Sequence, residues 1–232
     1  MIAIITAMKI ESERVIARMQ NVREEKAGPV KVYVGELSGT SVAVCISGVG
    51  KVNAAATTQA MIMKYSPSLI INVGVAGTAT SSLGIGDFVI GGSYVQFDVD
   101  TSPIGDPKYM ISGINKIIIE SDKVLCEKAL KTAKELFPKK HSTVGRIASS
   151  DKFVGGSNSY LKDEVIALGA ACVEMESGAI AHVALINDVN YLAVRTISDS
   201  ADGEAPSSFA EFCEESAKNA EIWLEEFISL IK

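Results

Sequence analysis

The sequence contains few of the residues that form disulfides or hold metals. Among its 232 residues are four cysteines, none in a C-x-x-C pair, and two histidines, His141 and His182, that stand alone. Cysteines spaced this widely among apolar neighbours behave as small hydrophobic residues, and no metal-ligand spacing is present. We therefore expect reduced cysteines, a cytoplasmic protein and no metal.

The sequence also lacks a long apolar run and any excess of positive charge. No apolar stretch approaches the roughly 18 residues of a membrane span. The formal net charge of −6 argues against a nucleic acid or an anionic membrane as partner. The apolar start, residues 1–8, has no basic leader and continues into the charged stretch 9–18. It predicts a buried first strand and not a signal peptide.

Short β-branched runs alternate with amphipathic stretches along the chain. The predicted strands cover residues 2–6, 30–37, 41–47, 69–73, 88–95, 117–119, 143–149, 171–175 and 192–197. The predicted helices are one that ends near residue 20 and those over 51–65, 121–136, 157–168, 176–187 and 208–231. Residues 98–113 have no periodicity and predict a mobile or interface loop. With no repeat or linker, the pattern predicts one domain over residues 1–232, a three-layer α/β/α fold with a central mixed, mainly parallel sheet.

The stretch SGVGKVNA, residues 47–54, is a glycine-rich turn between a predicted strand and a predicted helix, where backbone N–H groups often bind phosphate. The dinucleotide pattern G-x-G-x-x-G fails because Asn53 holds the third glycine position. The mononucleotide pattern G-x-x-x-x-G-K-[ST] fails as well, since Cys45 replaces its first glycine and Val52 its hydroxyl residue. The residues favour a tight turn over a nucleotide site.

Carboxylates lie at the ends of three predicted strands. Glu11 follows the first strand, Glu174 and Glu176 lie at the end of strand 171–175, and Asp199 follows strand 192–197. Ligands bind at such strand ends in open α/β sheets, and a buried carboxylate is costly without a task. Each has a structural alternative: Glu11 as a first-turn helix residue, Glu176 as a cap and Asp199 as a loop acid. Because all three strand ends belong to one sheet, we favour a shared ligand-binding site over these separate structural roles.

A series of motifs carries a family resemblance in chain order. They are AIITAM with Glu11, SGVGKVNAA (47–55), NVGVAGT (72–78), IGDFVI (85–90), QFDVD (96–100), ASSDKFV (148–154), VEMESGAIAHV (173–183), RTISDSAD (195–202) and SFAEF (208–212). Nearly the whole chain thereby resembles the 5′-methylthioadenosine/S-adenosylhomocysteine nucleosidases, a family of the nucleoside phosphorylase-like superfamily. The resemblance implies cleavage of the N-glycosidic bond of 5′-thio-substituted adenosines with water, by a homodimer that uses no cofactor.

The resemblance also implies roles for four catalytic residues. Asp199 matches the general acid that protonates N7 of the leaving adenine, and Ser198 matches the residue that helps to place it. Glu11 matches the carboxylate that orients and activates the attacking water. Arg195 stands where the family has a water-associated arginine. The chemistry is consistent, because cleaving a ribosyl C–N bond needs an acid for the leaving group and a base for water on the opposite face.

By the same resemblance, a second set of residues holds the substrate. Glu176 matches the group that binds the ribose hydroxyls, with Met175 beneath the sugar. Phe153 matches the adenine-stacking aromatic residue, and the backbone of Val154 matches the reader of the adenine edge. The expected substrate-binding residues are Glu176, Met175, Glu174, Phe153, Val154, Phe209, Val49 and Val75.

Two departures from the family pattern concern a hydroxyl near the catalytic carboxylates and the shape of the 5′-alkylthio pocket. Phe209, together with Val49 from a partner subunit, matches its lining. Val75 stands where many relatives have serine, so the task of that hydroxyl is dispensable or passes to a neighbour such as Thr6. Phe97 stands where histidine is common. The preference among methylthioadenosine, S-adenosylhomocysteine, 5′-deoxyadenosine and aminodeoxyfutalosine therefore stays open.

Two other functions also stay open: a phosphorylase of the same superfamily, which uses inorganic phosphate, and a nucleoside-binding protein without catalysis. A phosphate site needs cationic bidentate donors, usually arginine. Residues 24–145 contain no arginine, which favours water as the co-substrate. A protein that only binds the nucleoside would be expected to lose Glu11 or Asp199, and both are present.

Overall fold

The strands and helices follow one another much as the hydrophobic pattern predicts. The structure, a computed structural model, describes residues 1–202 and 205–231, with side chains throughout except at positions 205–208, 210 and 211. The strands are β1 (Ile2–Thr6), β2 (Gln20–Ala27), β3 (Val30–Leu37), β4 (Thr40–Ile46), β5 (Leu69–Thr78), β6 (Phe88–Gln96), β7 (Ile118–Glu120), β8 (Ser142–Ser149), β9 (Ala170–Glu174) and β10 (Asn190–Asp199). The helices are α1 (Lys9–Arg18), α2 (Lys51–Tyr65), α3 (Lys123–Leu136), α4 (Lys162–Ala167), α5 (Ser177–Ile186) and α6 (Ala205–Leu230).

One mixed sheet joins these ten strands in the order β10-β6-β8-β9-β5-β1-β4-β3-β2, with β7 paired to β6. Its longest ladders, β10 on β5 and β6 on β8, are parallel, and a stretch of antiparallel pairing forms the β2–β3–β4 edge. The predicted mixed, mainly parallel sheet is confirmed. Because β10 also pairs with β5, the strands β5, β10, β6, β8 and β9 curl into a closed ring, which the sequence did not predict.

Helices cover both faces of the sheet, and β1 illustrates the reason. Every residue of β1 is buried. Alternate side chains of a strand point to opposite faces. Ala3 and Ile5 thus join a core with α2 and α5, whereas Ile2 and Ile4 join a core with α1, α3 and α6. A continuous apolar run is what a strand covered on both faces requires, and the two cores make the three predicted layers.

The topology brings the predicted site residues to one edge of the sheet. The strands β1, β5 and β10 are parallel neighbours, so their carboxyl ends meet. Glu11 and Asp199 are therefore carried to the same edge. β9 runs antiparallel to the end of β5, with Val173 opposite Gly77, which carries Glu174 to that edge as well.

Several segments differ from the sequence prediction. The first helix ends at Arg18, since the chain becomes extended at Met19 and enters β2, a strand that the pattern did not predict. The predicted helix 157–168 divides into a 3₁₀ segment, Gly156–Leu161, and α4. The last helix begins at Ala205, and the unpatterned stretch 98–113 contains one short 3₁₀ turn. Across the described residues, no helix is both long enough and apolar enough to cross a bilayer.

Candidate active site

A cavity of about 250 Å³ opens at the strand ends, and its wall contains every predicted site residue except Arg195. The predicted residues in the wall are Glu11, Val49, Val75, Phe153, Val154, Glu174, Met175, Glu176, Ser198, Asp199 and Phe209. The wall also contains residues that the sequence analysis missed: Ala7, Met8, Ala76, Gly77, Lys152 and Val173. All six lie inside the motifs AIITAM, NVGVAGT, ASSDKFV and VEMESGAIAHV, which are the signal from which they could have been found.

Glu11 is held at the start of α1 by the backbone. Its Oε2 accepts hydrogen bonds from the N–H groups of Ala7 and Met8, at 3.0 and 2.9 Å. Burial raises the pKa of Glu11, while the Met8 hydrogen bond and the charge of Arg195 act in the opposite direction. Glu11 is therefore a first-turn helix residue, as the structural alternative predicted, and it also lines the cavity.

Asp199 reaches the cavity through an irregularity in β10. The register against β5 shifts between Ile197 and Asp199, which is a β-bulge. Such a bulge re-aims side chains, and both Ser198 and Asp199 face the cavity. The Ser198 hydroxyl donates to Asp199 Oδ2 at 2.9 Å, and the Ala201 N–H donates to Oδ1 at 2.8 Å. Burial raises the pKa of Asp199, and these two hydrogen bonds oppose the shift.

Glu176 is tied to the glycine-rich loop that precedes α2. It occupies the N-cap position of α5 but makes no capping hydrogen bond, and its Oε1 instead accepts the Gly50 N–H at 2.9 Å. Burial, and next the charge of Glu174, raise the pKa of Glu176 to about 8. Gly50 has φ of +99°, a conformation that favours glycine. The loop thus binds one of the chain's own carboxylates.

Arg195 lies outside the cavity wall, in a buried network with Glu174. Its Nη2 contacts Glu174 Oε2 at 2.6 Å and the Ser177 hydroxyl at 2.8 Å, and it also donates to the Asn72 side chain. Glu174 accepts further hydrogen bonds from the N–H groups of Glu176 and Ser177. Burial opposes the ionisation of Glu174, but Arg195 and these donors together lower its pKa. Both residues are therefore engaged within the protein, and Glu174 is the one that caps α5.

Two glycines of β5 leave the space that the carboxylates occupy. A Cβ at residue 74 would lie 2.8 Å from Glu11 Oε1 and 3.3 Å from Arg195 Nη1. A Cβ at residue 77 would lie 2.5 Å from Asp199 Oδ1. Gly74 and Gly77 therefore set the positions of Glu11 and Asp199, which the motif NVGVAGT did not reveal by itself.

The remaining wall is mainly apolar. Phe153 and Phe209 meet edge to face, with ring centroids 6.0 Å apart and an interplanar angle of 82°. Val49 lines the cavity of its own chain, and the expected contribution of Val49 from a partner subunit stays a prediction. The hydrogen bond from neighbouring Gly50 to Glu176 holds this loop at the cavity.

Val75 lines the cavity, and the structure tests whether Thr6 replaces the hydroxyl that Val75 lacks. Thr6 is fully buried, and its hydroxyl donates to the carbonyl oxygens of Met8 and Cys45, at 3.3 and 3.5 Å. Its hydroxyl therefore serves the backbone around β1, and Thr6 is not among the cavity residues.

Known proteins resemble the chain over its full length. The model of the phosphorylase superfamily matches residues 1–229. The 5′-methylthioadenosine/S-adenosylhomocysteine nucleosidase of Staphylococcus haemolyticus is 36% identical over 235 residues, which covers 100% of each chain.

Solved structures share the fold closely. The 5′-methylthioadenosine/S-adenosylhomocysteine nucleosidase of Neisseria meningitidis, in complex with methylthio-immucillin-A, has a TM-score of 0.92 and 33% identity and covers 99% of each chain. The futalosine hydrolase of Helicobacter pylori has a TM-score of 0.92 and 30% identity over 99% of this chain and 97% of its own. The nucleosidases of this kind are enzymes that hydrolyse N-glycosyl compounds. From these matches, and from the cavity lined by carboxylates, the chain belongs to the 5′-methylthioadenosine/S-adenosylhomocysteine nucleosidase family of the phosphorylase superfamily.

Proposed function

We propose that the protein hydrolyses the N-glycosidic bond of 5′-methylthioadenosine, S-adenosylhomocysteine or both, and releases adenine and the 5-thio-substituted ribose. The observation that carries this proposal is the apolar cavity in which three buried carboxyl groups, those of Glu11, Glu176 and Asp199, meet. The names of the relatives from Staphylococcus haemolyticus and Neisseria meningitidis support the same substrates.

Asp199 is the proposed general acid. Adenine leaves poorly as an anion and well when it is protonated, so the acid has to hold a proton near neutral pH. Burial raises the pKa of Asp199, as this role requires. The Ser198 hydroxyl bonds one carboxyl oxygen and the Ala201 N–H the other, which fixes the orientation of the carboxyl group toward the leaving base.

Glu11 is the proposed group that orients and activates the attacking water. The backbone N–H groups of Ala7 and Met8 hold its Oε2, and we assign the water molecule to its Oε1. Arg195 supports this role from behind the wall, where its charge favours the ionised form of Glu11. We therefore assign Arg195 to tuning and holding the carboxylates, and not to direct contact with the substrate.

Glu176 is the proposed ligand of the ribose hydroxyl groups, with Met175 beneath the sugar. Positive charge develops on the ribosyl group as the C–N bond breaks, and this charge favours an ionised carboxylate at Glu176. Phe153 would stack on adenine, and the backbone of Val154 would read its edge. Phe209 would line the pocket for the 5′ substituent, as would the Val49 of the same chain.

Two observations support water over phosphate as the co-substrate. The N–H groups of Gly50 and Lys51, at the start of α2, already bind the carboxylates of Glu176 and Asp151, at 2.9 and 2.7 Å. These are the backbone donors that a phosphate would need. Over the described part of the chain, the cavity wall includes Lys152 but no arginine to bind phosphate in a bidentate manner.

A futalosine-type nucleoside is a second candidate substrate. The futalosine hydrolase of Helicobacter pylori matches the fold as closely as the methylthioadenosine nucleosidase of Neisseria meningitidis does, with a TM-score of 0.92 for each. The wall formed by Val49 and Phe209, which would receive the 5′ substituent, contributes to this choice.

We further propose that one nucleosidase domain spans the chain and that it assembles as a homodimer. Helix α2 exposes large apolar side chains, Val52 at 77% and Met63 at 78%, which a second subunit would cover. Light scattering on the purified protein should give twice the mass of one chain. A monomer at micromolar concentration would contradict the assembly but not the reaction.

The reaction is tested by adding the purified protein to methylthioadenosine, S-adenosylhomocysteine and futalosine in separate assays and following base release by chromatography. We expect adenine from at least one of the two thio-substituted nucleosides. Asp199→Asn and Glu11→Gln should each abolish most of the release, whereas Asp163→Asn, which alters an exposed carboxylate of α4, should not. No release from any 5′-substituted nucleoside would support a binding protein instead.

A further inference from the structure

Lys51 belongs to the glycine-rich motif, but its side chain does not line the cavity. It is the first residue of α2 and follows the loop residue Gly50. Its ammonium group contacts Asp98 Oδ1 at 2.5 Å, and only 15% of the Lys51 side chain and 23% of the Asp98 side chain are exposed. A partly buried ion pair of this kind is screened less by solvent than one on the open surface.

The contacts of Lys51 close into a ring that joins three loops. Asp98 Oδ2 accepts the Asp151 N–H at 2.9 Å, and Asp151 Oδ1 accepts the Lys51 N–H at 2.7 Å. The segment after β6, the segment after β8 and the start of α2 are thereby fixed to one another. We call Lys51, Asp98 and Asp151 the loop clamp.

The loop clamp adjoins two parts of the cavity wall. Gly50, next to Lys51, donates its N–H to Glu176 Oε1. Phe153, two residues after Asp151, forms part of the wall itself. No member of the clamp is among the cavity residues, so its effect on the site has to pass through these neighbours.

We propose that Lys51 is a positioning residue for nucleoside binding, which holds the Gly50 N–H on the ribose-binding carboxyl group of Glu176. This inference rests on the proposed function, because it takes Glu176 as the ribose ligand. Loss of the ammonium group would leave the partly buried Asp98 carboxylate without its cation. The loops would then separate, and the Gly50 N–H would lose its alignment with Glu176.

The test compares Lys51→Met with wild type by measuring the Kd of methylthio-immucillin-A, the analogue bound in the Neisseria meningitidis structure, by calorimetry. We expect weakening on the order of tenfold, equivalent to about 1.4 kcal/mol. Lys51→Arg should restore most of the affinity, and Asp98→Asn should resemble Lys51→Met. Lys31→Met is the matched control, since it removes an equal charge from an exposed pair with Glu24 and should leave the Kd unchanged.

A double-mutant cycle separates positioning from general damage. If Lys51 acts through Glu176, Lys51→Met should add little to the loss caused by Glu176→Gln, because coupled residues are not additive. Full additivity, or a Lys51→Met protein with wild-type affinity, would overturn the inference. If wild-type protein binds no analogue and releases no adenine, the proposed function fails instead.

Discussion

Replacement of Gly77 by alanine would displace Asp199 without removing its carboxyl group. The added methyl group would lie 2.5 Å from Asp199 Oδ1 and 2.9 Å from the Ala201 side chain. Ordinary van der Waals contact begins at 3.4 Å, so the carboxyl group has to retreat by about 0.9 Å, the difference between 3.4 and 2.5 Å. Backbone on both sides restrains that movement, since β5 and β10 pair along this stretch.

The size of the effect follows from that displacement. A misplacement of about 1 Å in a catalytic group costs on the order of 100-fold in rate, equivalent to about 2.7 kcal/mol of activation free energy. We expect kcat of Gly77→Ala on methylthioadenosine to fall by about this factor. The added methyl group should also destabilise the fold by about 1–3 kcal/mol, which is too little to unfold a domain of ordinary stability.

The assay is steady-state adenine release, with circular dichroism to confirm that each variant is folded. Gly84→Ala is the matched control, because its methyl group would meet nothing closer than Asp87 Oδ2 at 3.8 Å and kcat should stay at the wild-type level. In an Asp199→Asn background, Gly77→Ala should cause little further loss. A folded Gly77→Ala protein with wild-type kcat would refute the steric coupling of these two residues.

Other predictions concern the carboxylates directly. Asp199→Asn should lower kcat by about 10²–10⁴-fold in the adenine assay, the usual contribution of a general acid, and a smaller loss would remove that role. Glu174→Gln should lower the free energy of unfolding by about 3–5 kcal/mol in urea, because it takes the partner from the buried cation of Arg195. As a control, Glu13→Gln removes the carboxylate of the exposed Lys9–Glu13 pair and should lower the free energy of unfolding by less than about 0.5 kcal/mol. Burial beside Glu174 raises the pKa of Glu176 to about 8, above its value of about 4.3 in an unfolded chain, so this group favours the folded state less as pH rises between those values. Urea unfolding at pH 5, 6, 7 and 8 should show wild type losing stability relative to Glu176→Gln, by up to about 1.4 kcal/mol per pH unit, and a constant difference would argue that the carboxyl group is not perturbed.

The fold was largely predictable because most strands are covered on both faces. The run Ile2–Thr6 has to be buried whatever its partners are, and the helix Lys51–Tyr65 was predicted with its observed bounds. The strand Gln20–Ala27 was missed because seven of its eight residues are exposed or half-buried, so it has no apolar alternation to detect. The pairing of β10 with β5 was missed because hydrophobic periodicity does not specify which strands become neighbours.

The site was predictable where a motif carries the reacting group itself. Glu11, Glu176 and Asp199 are polar residues at strand ends, and all three line the cavity. The supporting contacts were not predictable, since they join residues far apart in the sequence: Glu174 pairs with Arg195, and Lys51 pairs with Asp98. Such pairs depend on the tertiary arrangement and leave no local pattern.

The most direct test of the proposed reaction is the identity of the sugar product formed from methylthioadenosine in phosphate-free buffer. We predict adenine and 5-methylthioribose in equal amounts, at a rate that added inorganic phosphate does not change, with mass spectrometry to identify the sugar. Adenine release that requires phosphate and yields the sugar 1-phosphate would contradict hydrolysis.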